Sequence, residues 1–358
     1  MPSLKEIKGR INSISSTLAI TSAMKMVAAA KLQKAQMAIQ NMLPYERRLH
    51  SMLIDLMGAM NISAAASEDG SVRGSGSAER GFDQSGDRLS LSNRHDLAGM
   101  DGAYSLMAQR EVRKVAIVAF ASNSSLCGAF NSNAIREATA VINEYRASGL
   151  GDADITVYSV GRKMAEAMKK LGFPSPADFT KMSDSPSYDA ASALAQELFD
   201  GFVSGRFDKV ELVYNHYKST SSQPTTRQTY LPLSLADATA DLQAGKIADS
   251  ASESDTNRGA ETVGAPMVRQ GSPTTEDLIV EPSKEALIAT LLPKVIRLRI
   301  FTTLLDSAAA EHAARTVAMQ LATDNGNDLL QELTLEYNKG RQQKITSEIL
   351  DLVSGSLQ

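Results

Sequence analysis

A serine- and glycine-rich turn, Ala121-Ser122-Asn123-Ser124-Ser125-Leu126-Cys127-Gly128-Ala129-Phe130-Asn131, lies between an apolar, β-branched run and a helical pattern. In α/β folds such a junction is where backbone N–H groups cradle an anion or a nucleophile is presented. Here no base and no second phosphate-binding element accompanies it. The chain has neither a G-x-x-x-x-G-K-S/T loop nor a G-x-G-x-x-G after a strand. The plainer account is a tight turn in which Gly128 permits close packing and Asn131 or Ser132 caps the helix that follows. The four histidines (His50, His95, His216, His312) are scattered without metal-ligand spacing. The single cysteine, Cys127, excludes an internal disulfide and a cysteine-based zinc cage. No catalytic group, metal or cofactor is expected.

The elements that would hold a site tell more. Apolar or small residues recur at 3,4 spacing at Leu4, Ile7, Ile11, Ile14, Leu18, Thr21, Ala28, Leu32, Ala35, Ile39, Met42, Leu49, Leu53, Leu56 and Met60, broken at Lys25 and Glu46. That is a heptad pattern. Continuous over roughly 55 residues, it makes a rod of ~80 Å, with a kink expected at Pro44. The C-terminal end repeats the stripe at Leu291, Leu298, Phe301, Leu305, Ala308, Met319, Ala322, Leu329 and Leu333. His312, Arg315 and Gly326 read as interruptions, and the small residues Ala308 to Ala314 allow close backbone approach. Each stripe needs a partner, because a buried Leu or Ile contributes about 1.5–3 kcal/mol. The two termini are therefore expected to pair as a long antiparallel coiled coil.

Between the ends the period changes. Val112 to Phe120, Ile155 to Val160, Val210 to His216 and Thr225 to Leu233 read as strands. Asn131 to Arg146, Arg162 to Leu171 and Tyr188 to Phe202 read as helices, so the middle is an α/β domain with a mainly parallel sheet. Ser63 to Met100 and Asp249 to Thr275 lack periodicity and read as flexible insertions. The expected division is residues 1–62 helix, 63–110 insertion, 111–235 α/β domain, 236–283 linker with the second insertion and 284–358 helix.

Composition narrows the partners. Hydrophobic residues at 43% and charged ones at 22% suit a packed core. The overall charge of −4 hides an uneven distribution: residues 1–50 hold eight cations (Lys5, Lys8, Arg10, Lys25, Lys31, Lys34, Arg47, Arg48) against Glu6 and Glu46, a net of +6. Such a face wants an acidic partner. Nucleic acid is a poor candidate, since Tyr45 is the only aromatic of this segment and base stacking is unsupported. Neither a signal peptide nor a transit segment precedes the first helical pattern, and no run of about 18 apolar residues occurs. The protein is expected to stay where it is made and to meet a membrane only through partners.

Several runs resemble one family. Leu4-Lys5-Glu6-Ile7-Lys8-Gly9-Arg10-Ile11 and Ile20-Thr21-Ser22-Ala23-Met24-Lys25-Met26-Val27-Ala28-Ala29-Ala30-Lys31-Leu32 resemble the opening of gamma subunits of F-type ATP synthases. Leu126-Cys127-Gly128-Ala129-Phe130-Asn131 resembles the family's L-C-G-G-x-N element. Glu311-His312-Ala313-Ala314-Arg315-Thr316-Val317-Ala318-Met319 and Leu335 to Ile349 resemble its C-terminal signature. The chain departs from the family's S-D-x-G at Ser122 to Ser125 and lacks the cysteine pair of chloroplast-type members.

The resemblance implies an asymmetric shaft inside a ring of alpha and beta subunits. It also implies a Rossmann-like α/β foot beside the epsilon subunit and the c-ring of Fo, on the cytoplasmic face of a bacterial inner membrane. It further implies that the beta subunits do the chemistry, and that Met24, Lys25, Lys31, Lys34, Arg341, Gln342, Thr346 and Glu348 contact them. The other readings are a non-catalytic coiled-coil scaffold with an α/β head and an enzyme binding a small ligand. The scaffold does not explain the polar tip around Arg341-Gln342, and the enzyme lacks catalytic residues.

Overall fold

The computed structural model describes residues 3–59, 106, 110–233 and 284–356. Both expected insertions, Ser63 to Met100 and Asp249 to Thr275, lie outside the described residues.

The first element, α1, is a 56-residue helix, Leu4–Ala59, and the last, α6, is a 73-residue helix, Lys284–Ser356. At 1.5 Å per residue they measure about 84 and 110 Å. Ser3 opens α1 with a capping contact, its Oγ accepting the Glu6 N–H at 3.2 Å, the first half of an S-x-x-E box. Pro44 does not end α1, nor Pro293 α6; each is assigned within one continuous helix. Pro44 is exposed.

The two helices run antiparallel. The Thr323 hydroxyl donates to that of Thr21 at 3.1 Å, Gly326 meets Leu18, and Gly340 meets Leu4. Every expected seam position of α1 from Leu4 to Leu53 is buried or half-buried. On α6 the pattern needs correction. Leu291, Leu298, Leu305, Ala308, Met319 and Leu333 are buried, but Ala322 and Leu329 are exposed. The seam there passes instead through Thr323, Gly326 and Leu330. Gly326 is thus part of the stripe and no interruption of it. Where backbones approach closely, a missing side chain fits better than a leucine.

The middle of the chain forms a four-stranded sheet in the order β2-β1-β3-β4, from β1 (Val115–Phe120), β2 (Ile155–Val160), β3 (Lys209–Asn215) and β4 (Thr225–Leu231). β1 pairs parallel with β2 and β3, and β4 joins β3 antiparallel. The helices are α2 (Phe130–Ala147), α3 (Arg162–Lys170), the short α4 (Thr180–Asp184) and α5 (Tyr188–Val203). The β1–α2–β2 order follows from the parallel pairing, which needs a crossover helix.

The two faces of the sheet are covered differently. One packs on α2 and α3 through Ala134, Ala138, Val141, Ile142, Met164 and Met168. The other packs on α5 and on the shaft, where Ile288, Leu292, Val295, Ile296, Ile300 and Leu304 of α6 join Leu49 and Leu53 of α1 in one core with Ala116, Val118, Phe120 and Leu212. At about 1.5–3 kcal/mol per buried aliphatic side chain, the base of the shaft is an integral layer of the head. One glycine is indispensable to the sheet's end. Gly161, at φ +99°, lies where an added Cβ would stand 2.0 Å from the Ala121 carbonyl oxygen.

Candidate functional site

The turn after β1 is closed on itself. The Ser122 N–H donates to Asn131 Oδ1 at 3.0 Å, the Ser122 hydroxyl to the Ser124 carbonyl at 2.5 Å, and Asn131 Nδ2 to that same carbonyl at 3.1 Å. Asn131 does not cap α2. Ala129 occupies the N-cap without a side-chain bond, and the Asn131 amide folds back to hold the turn. Gly128, at φ +59°, brings the turn against α6, where an added Cβ would sit 3.8 Å from that of Ala318. Cys127 is buried beneath it beside Phe130, Ala310 and Ala314. The turn therefore grips the shaft.

Arg315 completes the grip, with Nη1 2.7 Å from Glu311 Oε1 and Nη2 donating to Ser124 Oγ at 2.6 Å. Burial raises the Glu311 carboxyl above its ordinary value, and Arg315 opposes the shift. A second fastener lies at the same end of the sheet, just after the parallel strand β3. Asp306 accepts from the Tyr217 N–H at 2.9 Å and lies 2.6 Å from His216 Nδ1, and this hydrogen bond raises the imidazole's pKa. Arg297 Nη2 donates to Gln196 Oε1 at 2.7 Å, and the Tyr230 hydroxyl to the Ile296 carbonyl at 2.9 Å. Gln36 Nε2 of α1 donates to the Tyr217 hydroxyl at 2.7 Å. Of these six hydrogen bonds between head and shaft, five are made by α6 and one by α1.

Between α1, the β3–β4 end and α6 lies a cleft of about 400 Å³ lined by Arg47, His50, His216, Arg299 and Asp306 among others. Burial depresses the His50 pKa to about 4, with Arg299 adding to the effect. The arginines and carboxylates of the cleft balance, and no group of three or more metal-ligating side chains occurs among the described residues.

The eight residues expected to touch a partner fall in two bands. Met24, Lys31 and Lys34 are exposed on α1 and Lys25 is half-buried; Arg341, Gln342, Thr346 and Glu348 are exposed near the end of α6. With Thr21 opposite Thr323, the bands stand about 30 Å apart along the rod. Within the second band the Thr346 hydroxyl donates to the Gln342 carbonyl at 2.9 Å, and Lys344 lies 3.8 Å from Glu348. Lys31 is close enough to Glu311 and His312 to act on both electrostatically. The fasteners His216–Asp306 and Ser124–Arg315 escaped sequence reasoning because their partners are 90 and 191 residues apart.

Comparison with known proteins decides the family. A family model described as ATP synthase matches residues 3–357, and the ATP synthase gamma chain of Phocaeicola vulgatus is 46% identical over 357 residues, covering 100% of both chains. The chain belongs to the ATP synthase gamma family. The gamma chain of Bacteroides thetaiotaomicron is 44% identical, again over 100% of both chains. That of Flavobacterium johnsoniae is 35% identical over 99% of this chain and 98% of its own. Among solved structures, a chain of the Euglena gracilis mitochondrial ATP synthase (OSCP/F1/c-ring, rotational state 3) superposes with a TM-score of 0.51 at 18% identity, covering 98% of this chain and 92% of that one. This gamma-family chain thus shares with it the fold of two long terminal helices and a mainly parallel head. Among the described residues no helix is long and apolar enough to cross a membrane.

Proposed function

We propose that this gamma-family chain is the central shaft of a bacterial F-type ATP synthase. It sits on the cytoplasmic side of the inner membrane, contributes no catalytic group, and turns with the c-ring and the epsilon subunit inside an alpha–beta ring. Full-length identity with bacterial gamma chains carries this reading. The end of α6 supports it. Past Gly340, which meets Leu4 at the start of α1, α6 runs on without its partner and exposes Ile345, Ile349, Leu350, Leu352 and Val353. An apolar helix end of this kind needs a sleeve. A rotating asymmetric rod acts by differential binding: it stabilises one conformation of each neighbour over another, and only that difference shifts a population. The domain division at residues 62, 110, 235 and 283 belongs to the same reading.

Two bands of contact follow from it. Met24, Lys25, Lys31 and Lys34 form a basic cuff suited to acidic loops, and Arg341, Gln342, Thr346 and Glu348 form a polar catch nearer the tip. Arginine suits a contact repeatedly made and broken, because its planar guanidinium holds a carboxylate by two parallel bonds and keeps its charge. The test is Arg341→Ala in the purified complex. The complex should assemble but turn over ATP slowly, since truncating one member of a buried charge pair costs on the order of 2–5 kcal/mol. Normal hydrolysis together with normal proton pumping would remove Arg341 from the mechanism.

A further inference from the structure

If the chain turns, its two helices are not driven alike. Ile296, Arg297, Asp306 and Arg315 of α6 all hold the head by hydrogen bonds, whereas the basic cuff lies on α1. Torque entering at the head reaches α1 through Gln36, Leu49 and Leu53, and reaches it also across the seam from α6. An apolar seam alone does this poorly, because hydrophobic attraction is non-directional and lets one helix slip a turn past the other at little loss.

The seam carries features that forbid such a slip. Gly326 is a notch already filled by Leu18: a Cβ there would stand 2.6 Å from Leu18 Cδ2 and 3.2 Å from its Cγ. Gly340 is a second notch, in which a Cβ would stand 3.2 Å from Leu4 Cδ2. Between them and the head, the Thr323 hydroxyl donates to the Thr21 hydroxyl across the seam at 3.1 Å, and Thr21 in turn donates to the Leu18 carbonyl at 3.1 Å. In all three pairs the residue numbers add to 344, so they impose one and the same alignment. A slip of one turn in either direction would set Leu18 against Thr323 or Leu330 and part the two hydroxyls, leaving each only the carbonyl of its own helix, Leu18 for Thr21 and Met319 for Thr323. Such a misfit is of the kind by which single interior residues fix coiled-coil register.

We infer that Leu18 in the Gly326 notch, with Leu4–Gly340 and Thr21–Thr323, is a register lock through which α6 drives α1. The inference rests on the shaft reading above and adds to it the residues that pass torque between the two helices. Leu18, Gly326, Thr21 and Thr323 are positioning residues: they hold the cuff at a fixed angle relative to the head.

The experiment uses the complete complex, in three backgrounds: unchanged, Gly326→Leu, and the swap Leu18→Gly/Gly326→Leu, which moves knob and notch across the seam at constant composition. In each, a Thr21→Cys/Thr323→Cys pair reports register by the rate of disulfide formation, because bridging tolerates only a narrow range of separations. A matching set without the cysteines reports ATP hydrolysis and ATP-driven proton pumping. Gly326→Leu should slow bridging about tenfold or more and lose pumping relative to hydrolysis, and the swap should restore both. Gly326→Ala, which asks only the end of Leu18 to retreat, extends the test should the larger variant not assemble; it should slow bridging to a lesser degree. Unchanged bridging and unchanged pumping per ATP in the Gly326 variants would overturn the lock, as would failure of the swap to restore either. A functional unmodified complex that lacks this chain would instead overturn the shaft reading.

Discussion

Removing the Arg315 guanidinium is the most telling perturbation of the joint between head and shaft. In Arg315→Ala the Glu311 carboxylate, whose side chain is 10% exposed against 14% for Arg315, loses the opposite charge 2.7 Å away. Breaking such a buried pair costs about 3–5 kcal/mol. The carboxyl can limit that cost by taking a proton, which for a group of ordinary value 4.5 costs about 3.4 kcal/mol at pH 7 and about 0.7 kcal/mol at pH 5. The lost bond to Ser124 adds about 1 kcal/mol. The variant should therefore lose about 4 kcal/mol of stability at pH 7 and about 2 kcal/mol at pH 5. The sign follows from burial. It raises the carboxyl in the folded state, so the penalty is full above that raised value and is relieved as pH falls. Urea unfolding of the purified chain followed by circular dichroism at the two pH values measures both figures. A loss below about 1 kcal/mol, or equal losses at the two pH values, would refute the picture of Glu311 as a buried charge held by Arg315.

Two further outcomes follow from the same joint. Gly161→Ala forces a left-handed backbone on a residue with a side chain, costing roughly 1–2 kcal/mol, and drives its Cβ onto the Ala121 carbonyl; a stability loss under about 1 kcal/mol would contradict that contact. His216 has its pKa raised by its hydrogen bond to Asp306, so its contribution is complete below its ordinary value of 6.5 and is lost as pH rises through the raised value. His216→Asn should abolish that part of the pH dependence of thermal unfolding, an effect of about 1 kcal/mol or less because the imidazole is half exposed; an unaltered pH profile would show that the pair contributes nothing.

The sequence was most legible where a period repeats. β2 was placed at its observed limits, and α5 within one residue, since each pairs a regular pattern with clear punctuation. The seam of α1 was readable for the same reason. On α6 the reading faltered past Met319, because it sought apolar residues where close helix approach selects Thr323 and Gly326. A glycine filled by a leucine from a distant segment has no local signature. The turn after β1 was recognised as a turn, but Asn131 was expected to cap the helix, whereas it lies in the first turn of α2 and its side chain closes the loop. The eight expected contact residues rested on likeness to a family, with only the basic balance of residues 1–50 pointing on its own to Lys25, Lys31 and Lys34. That Ile288 to Leu304 of the last helix complete the head's core is visible only once the second face of the sheet is known.

That shared core has a consequence for synthesis. The partners Thr21 and Thr323 are 302 residues apart, and at roughly 5–20 residues per second the ribosome leaves about 15–60 s between them. Throughout that interval α1 is finished but solitary, and one greasy side of the sheet is covered only by α5 until Ile288 to Leu304 emerge. The last fifth of the chain to be translated therefore closes the whole molecule at once, and a product truncated before it would present both unsatisfied surfaces together to chaperones and proteases.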